Sequence, residues 1–342
     1  MAIAKRVAAL AGQSERFRRD LDALVPAGTR LGLAVSGGPD SLALLLLVAD
    51  IRSGDVEAAT VDHALRPESR AEAQQVARIC KRLGVPHTIM TAKWRGKPET
   101  AIQERARMMR YRLLAQWAGE RGIQVLMTAH HLDDQAETFI MRLARGAGVK
   151  GLAAMRPVSP AAGGALALVR PLLGWRHFDL QAICASAGID PVQDPSNEDD
   201  RYERVRIRKA LARADLLDPP QIARSAAHLA AADSALHWAT TLEWQRAVSE
   251  SDGQVAYTPA DAPLEIRRRI IRRAILKLAT EGTAAELRGR ELDQVLAALR
   301  TGKRATLRGV LCIGGPQWRF SRAPARKGAP RASSAKMGAV EG

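Results

Sequence analysis

From Thr29 onward the chain alternates short, continuous apolar runs with longer runs of helical period. Arg30–Ser36, Glu57–Asp62, Pro86–Thr91 and Gln124–Ala129 read as strands, each bounded by turn residues. Ser41–Ile51, Ser69–Leu83 and Thr100–Arg121 read as the helices between them. Repeated strand and helix units of this kind predict a parallel sheet covered by helices on both faces, an α/β domain whose ligands bind beyond the carboxyl ends of the strands. Chemistry is therefore expected in the loops that follow the strands.

After about residue 150 the strand pattern fades. Pro157–Gly164 reads as a loop, Val169–Leu173 leads into a helix over Arg176–Ala187, and Asp190–Asp200 is polar. An Ala-rich helical stretch over Pro219–Val248 reads as a connector, followed by helices over Leu264–Leu278 and Ala284–Leu299. Short strand-like pieces, Ala305–Leu307 and Val310–Ile313, flank Arg308-Gly309. The pattern divides into a catalytic domain over 1–215, a helical linker over 216–258, a smaller and mostly helical domain over 259–321, and a basic tail over 322–342 expected to be disordered. No internal repeat is evident.

Composition sharpens this picture. Of 342 residues, 46% are hydrophobic and only 4% aromatic, so the cores must be built from aliphatic side chains. The longest apolar run, around Leu42–Val48, is far shorter than the roughly 20 residues a bilayer requires. The first residues lack the long apolar stretch of a secretory signal, and Cys80, Cys184 and Cys312 lie too far apart for a paired motif. A cytoplasmic protein with no membrane partner is expected. The net charge of +16 points to a polyanion, against the plainer reading of a basic soluble enzyme.

Three strings carry candidate chemistry. In Ser36-Gly-Gly-Pro-Asp-Ser41 a strand ends in two glycines and a serine opens a helix, an arrangement that lets backbone amides meet an anion. It lacks the Walker lysine. The bland alternative is a Gly-Gly turn. Val61-Asp-His-Ala-Leu-Arg66 follows the second strand, where Asp62 and His63 lie on the same sheet edge; a packed histidine is the alternative. In Thr128-Ala-His-His-Leu-Asp-Asp-Gln-Ala-Glu-Thr138, Asp133, Asp134 and Glu137 read as one face of a helix N-terminus, able to hold magnesium or take a proton, or simply to cap the helix. Gly146–Gly151 matches GxGxxG but follows a helix and reads as a helix end.

The first string resembles the SGGxDS signature of the PP-loop ATP pyrophosphatases. Together with VDHxLR and HHxDDQAET it resembles the bacterial tRNA(Ile)-lysidine synthetase family, and Ala106–Tyr111, Arg142–Leu152, Arg170–Leu173 and Asp194–Tyr202 agree. The resemblance is strong over about residues 29–210. It implies a PP-loop, adenine nucleotide alpha hydrolase-like and Rossmann-like N-terminal domain, with Ser36, Gly37, Gly38, Pro39, Asp40 and Ser41 around the phosphates of ATP. Asp62, His63 and His130 would meet the nucleotide, Asp40 would hold Mg2+, and Asp133 is a second candidate ligand. It further implies adenylation of the wobble cytidine of a CAU anticodon in isoleucine tRNA, then attachment of L-lysine. Glu137 would orient the lysine amine and accept its proton, and Arg107 would contact the reacting base or adenylate. Arg204, Arg206 and Arg208, with Arg268 and Arg272 of the basic helix, are expected on tRNA; for that helix a solvated face is the alternative.

One position departs from the family pattern: Val205 stands where an asparagine is usual in RNRIR. The chain also ends before the second C-terminal domain of longer members, which implies tRNA discrimination from fewer contacts. Oligomeric state is open, with room for a homodimer. Two rivals stay open: a PP-loop tRNA thiolase, which commonly needs cysteines that the spacing here does not pair, and a non-catalytic RNA-binding protein with a decayed nucleotide site.

Overall fold

The computed structural model describes residues 11–324 except Ser53, 95–101, 162–165, 193–197, 280–286 and Arg288. The segment Asp194–Asn197 and the tail from residue 325 therefore lie outside the described residues. The chain forms two compact units that divide between Ala231 and Ala232.

The first unit opens with helix α1 (Ala11–Asp22) and then alternates: β1 (Leu31–Ala34), α2 (Pro39–Ile51), β2 (Val56–Asp62), α3 (Ser69–Leu83), β3 (His87–Thr91), α4 (Ile102–Glu120) and β4 (Val125–Met127). There follow α5 (Leu132–Leu143), α6 (Val149–Leu152), β5 (Val158–Pro160), β6 (Ala167–Val169), α7 (His177–Ala187) and α8 (Glu203–Arg213). The sheet order is β3-β2-β1-β4-β6-β5, parallel except for the β5–β6 pair. Strand order reverses at β1, so the crevice beyond the carboxyl ends of β1 and β4 is where a ligand is expected.

Helix α2 explains why the sheet closes around that crevice. Pro39 occupies its first turn without sacrificing a hydrogen bond, and every side chain from Leu42 to Val48 is buried. A helix that is apolar all round belongs in a core. Here it packs with Phe17 and Leu21 of α1, Val76 and Ile79 of α3, and Leu180 and Ile183 of α7. Truncating Leu45 to Ala should cost about 2–5 kcal/mol. The opposite face carries Leu114 and Trp117 of α4. Gly32 of β1 allows that contact, since a Cβ there would lie 2.9 Å from the Trp117 ring.

Helix α9 (Pro219–Ala247) runs across the division between the units. The second unit adds β7 (Val248–Ser251), β8 (Gln254–Tyr257), α10 (Leu264–Leu278), α11 (Gly289–Arg300), β9 (Arg304–Leu307), β10 (Val310–Ile313) and β11 (Trp318–Arg322). Its antiparallel sheet has the order β7-β8-β11-β10-β9. Tyr257, Trp318, Phe320, Val310 and Cys312 pack with Ile270, Ile271, Ile275 and Leu296 from α10 and α11. The turn Arg308-Gly309 has positive φ at both residues, 52° and 72°, as a tight two-residue hairpin requires.

The periodicity thus predicts the helices of this unit but only two of its five strands. β7 follows α9 without a break, and β8 and β11 are four and five residues long, too short for alternation to show. In the first unit, β5 lies inside a predicted loop; its Pro160 is tolerated because β5 is an edge strand.

Candidate active site

The loop between β1 and α2 closes on itself through Ser41. Its Oγ accepts from the backbone amides of Ser36 and Gly37, each at 3.1 Å, donates to the Gly38 carbonyl at 3.0 Å, and lies 3.2 Å from the Ser36 hydroxyl. Gly37 has φ +91°, and a Cβ there would come within 3.0 Å of Val192, whose amide donates to the Gly37 carbonyl. This position accepts glycine and little else. The loop directs two amides inward at the N-terminus of a buried helix, the geometry of an anion cradle.

Asp40, in the first turn of α2, reaches across the crevice to residues that the sequence reading passed over. The His177 ring Nδ1 lies 2.7 Å from Asp40 Oδ1, and His131 Nε2 lies 3.6 Å from Oδ2. His131 caps α5: the Asp134 amide donates to its Nδ1 while the Asp134 carboxylate accepts from the His131 amide. Burial opposes charge on His131, but Asp133, Asp134 and Asp40 outweigh it and raise its pKa. Asp133 turns away from Asp134 and accepts from the Arg176 guanidinium at 3.0 Å and the His177 amide at 2.7 Å. Despite desolvation, the neighbouring His131 imidazole first, then the His177 amide and the Arg176 charge, hold its carboxyl well below the usual range. With both oxygens engaged on the loop before α7, Asp133 positions His177 in this arrangement.

Asp134 and Glu137 face α8. Arg204 donates to Glu137 Oε2 and Asp134 Oδ1, each at 2.5 Å, and Arg208 donates to Glu137 Oε1 at 2.6 Å. The Glu137 side chain is 2% exposed. One expectation changes here: Glu137 is not a free base in this state, because both oxygens accept from guanidinium groups. Arg204 and Arg208 are both ion-paired to carboxylates, Arg204 half-buried and Arg208 still exposed. Arg206 is exposed and donates to the Asp200 and Arg201 carbonyls. Val205 is buried, so the position is filled by an apolar side chain packed into the unit.

Beyond β2 and β4 the character is cationic. Asp62 Oδ1 accepts from the Ala64 amide and the Ser69 hydroxyl and so shapes its loop from within. His63 Nδ1, Arg110 Nε and Arg170 Nε are buried without a hydrogen-bond partner among the described residues. Burial, the Arg110 charge and, in opposition, Asp62 set the His63 pKa below its ordinary value. His130 pairs with the Thr128 hydroxyl at 2.9 Å, and its pKa is pushed down to about 3, chiefly by burial, with Arg170, Arg107 and Arg204 adding to the effect against Asp134. Arg107 is exposed over the Tyr111 ring and forms part of this cationic edge.

The depressed His130 makes an acid-lability prediction. A folded pKa below the unfolded value contributes stability present above about 6.5 and lost as pH falls toward 3, by at most about 1.4 kcal/mol per pH unit. His63 and His87, also lowered, act in the same direction. Thermal unfolding between pH 6.5 and 4.5 should therefore be shallower in pH for His130→Gln than for the wild type; parallel curves would refute the assignment.

These motifs sit in a domain for which the comparisons are clear. A family model described as a PP-loop domain matches residues 13–215. A tRNA(Ile)-lysidine synthase of Novosphingobium aromaticivorans is 48% identical over 317 residues, covering 92% of this chain and 95% of the relative. The chain belongs to the tRNA(Ile)-lysidine synthase family. A second tRNA(Ile)-lysidine synthase, from Zymomonas mobilis, is 46% identical over 305 residues, 88% of this chain and 91% of its own. Among solved structures, the U34-tRNA thiolase NcsA of Methanococcus maripaludis with its [4Fe-4S] cluster superposes with a TM-score of 0.54 at 15% identity, covering 64% of this chain and 78% of that one. That likeness is one of fold. No described helix is long and apolar enough to cross a membrane.

Within this tRNA(Ile)-lysidine synthase family member, the crevice brings together Ser36–Ser41, Asp40 and the loop of His130 and Asp133. Arg268 of α10 lies in the other unit and is ion-paired there, at 3.0 Å from Asp293 and 3.6 Å from Glu265, which weakens its case as an RNA contact. Arg272 is half-buried on the same helix. His131 was legible as an N-cap three residues before Asp134. His177 had no local signal, because its partner Asp40 is 137 residues away.

The donor set also bears on magnesium. Asp40, His131 and His177 bring one oxygen and two imidazole nitrogens within 4.8 Å of one another. Mg2+ prefers oxygen, commonly one or two carboxylates completed by phosphate and water. The imidazoles do not suit it, but Asp40 does as the single carboxylate of such a set.

Proposed function

We propose that this protein is an ATP-dependent ligase that converts the wobble cytidine of the CAU anticodon of isoleucine tRNA to lysidine in the bacterial cytoplasm. The observation that carries the reading is the Ser36–Ser41 cradle opening onto Asp40 at the β1–β4 crevice, in a chain of this family. ATP phosphates would replace Ser41 Oγ on the Ser36 and Gly37 amides. The cytosine carbonyl oxygen attacks the α-phosphate, pyrophosphate leaves, and the lysine side-chain amine then displaces AMP from the base, losing a proton.

Asp40 would hold Mg2+, which offsets negative charge on the phosphates when bound. His177 and His131 orient Asp40 toward the cradle. Arg107, with Arg110 and Arg170 behind it, would face the anionic adenylate; Arg170 is buried and Arg110 half-buried, neither with a carboxylate partner among the described residues, so a bound phosphoryl group would complete their environment. The lysine ammonium would sit at Asp134 and Glu137, exchanging for the Arg204 guanidinium. Glu137 keeps the orienting role and takes the amine proton only once its arginines have moved.

A thiolase reading is not favoured. Cys80, Cys184 and Cys312 are buried and unpaired, and burial pushes each thiol up to about 12, where the nucleophilic thiolate is scarce. The test is incubation with ATP, labelled lysine and the tRNA transcript bearing CAU. Label in tRNA together with equimolar AMP and pyrophosphate is expected. A folded preparation that binds the transcript yet incorporates no lysine would overturn the proposal, and absence of ATP turnover would favour a non-catalytic RNA-binding protein.

A further inference from the structure

The basic helix α10, one of the segments expected on tRNA, spends much of its charge inside its own unit. Arg267 donates to the Ala260 carbonyl, Arg268 pairs with Asp293, Arg269 pairs with Asp233 and Glu265, and Arg273 stacks over Trp244. The antiparallel sheet differs. Between Gln294 and Pro324 the chain holds six basic residues and no acidic one.

The pleat decides where that charge goes. Val255, Tyr257, Val310, Cys312, Trp318 and Phe320 point to the helices and are buried. Their neighbours alternate to the other face. The register aligns Arg304, Ile313, Arg319 and Ala256 in one row across four strands, and Thr306, Leu311, Ser321 and Gln254 in the next. Arg304, Thr306, Arg319 and Gln254 are exposed, and no carboxylate among the described residues pairs with either arginine. Glu250 does not neutralise them: its carboxylate is taken by Lys277 and Trp244.

We propose that the outer face of this five-stranded sheet, centred on Arg304 and Arg319, docks an RNA phosphodiester backbone. The two arginines stand two strands apart, about 10 Å, and each offers a forked donor suited to phosphate. Thr306, Ser321 and Gln254 supply neutral donors beside them. The two rows contain no aromatic side chain on which a base could stack, so the face positions the RNA and does not read its sequence. This inference rests on the RNA substrate proposed above and moves the expected contact from α10 to the sheet.

The experiment compares the full-length wild type with Arg304→Gln/Arg319→Gln in binding to the tRNA(Ile) transcript from about 50 to 200 mM salt. Loss of two phosphate contacts should lower affinity at least about tenfold at low salt and reduce the slope of log K against log salt by about 1.4–1.8. ATP binding and the thermal transition should stay unchanged, since both side chains are exposed. Unchanged affinity and slope, or weaker binding with an unchanged slope, would overturn the sheet as a phosphate surface. A wild type that binds no tRNA at any salt would instead overturn the RNA substrate itself.

Discussion

Asp40→Ala should reduce tRNA-dependent pyrophosphate release by about three orders of magnitude or more, with tRNA affinity within about twofold of wild type. Asp40 is the carboxylate at the mouth of the cradle, and its oxygens are fixed by His177 and His131 on the opposite wall. Removing it costs the proposed magnesium site and unties the His177 ring together. Asp40→Asn separates the two effects, because the amide preserves the size and a hydrogen bond to His177 but lacks the charge. If charge on the metal is what matters, Asn should be nearly as impaired as Ala, and raising Mg2+ should not restore it. Retained release in Asp40→Asn would assign Asp40 to positioning alone. The cradle contains no basic residue, which is why tRNA binding should be spared. Lost tRNA binding with normal release would show the residue to be misplaced.

Arg204→Ala should destabilise the first unit by about 2–3 kcal/mol and make it respond to free lysine. Glu137 is almost fully buried and carries a negative charge answered by Arg204 and Arg208. Removing one partner of a buried pair costs about 3–5 kcal/mol. The lower figure is expected because Arg204 is 37% exposed, so water screens part of the interaction, and Arg208 remains. If the lysine ammonium occupies the same carboxylates, millimolar lysine should raise the melting temperature of Arg204→Ala more than that of the wild type, as preferential binding to the folded state demands. Equal shifts in the two proteins would move the lysine site elsewhere. Arg204→Lys should recover part of the stability, since it restores the charge without the fork that spans Asp134 and Glu137.

The fold of the first unit was largely legible because its signal is local. The run Leu42–Val48, the glycines of the cradle and the amphipathic α3 each declare their element within a dozen residues. The short edge strands β5, β8 and β11 were not, since their stability comes from partners distant in sequence, and Pro160 reads locally as a breaker. The site divides in the same way. Ser36–Ser41 is recognisable as a string, whereas the choice between His130 and His131 depends on which ring faces Asp40. Adjacent residues beyond a strand point in different directions, and composition does not say which one enters the crevice.

By itself the sequence determined the chemistry available: a backbone cradle without a lysine, carboxylates at two strand ends, cysteines too dispersed for paired thiol chemistry, and an excess of arginine. Tertiary structure decided how that chemistry is assigned. Ion pairs form over a few ångströms, so Arg204 and Arg208 answer the carboxylates of α5 once α8 packs against it, and Asp133 is taken up by a loop more than 40 residues away. The same physics leaves Arg304 and Arg319 without a carboxylate partner among the described residues, because an antiparallel pleat sends alternate residues to the face away from the helices.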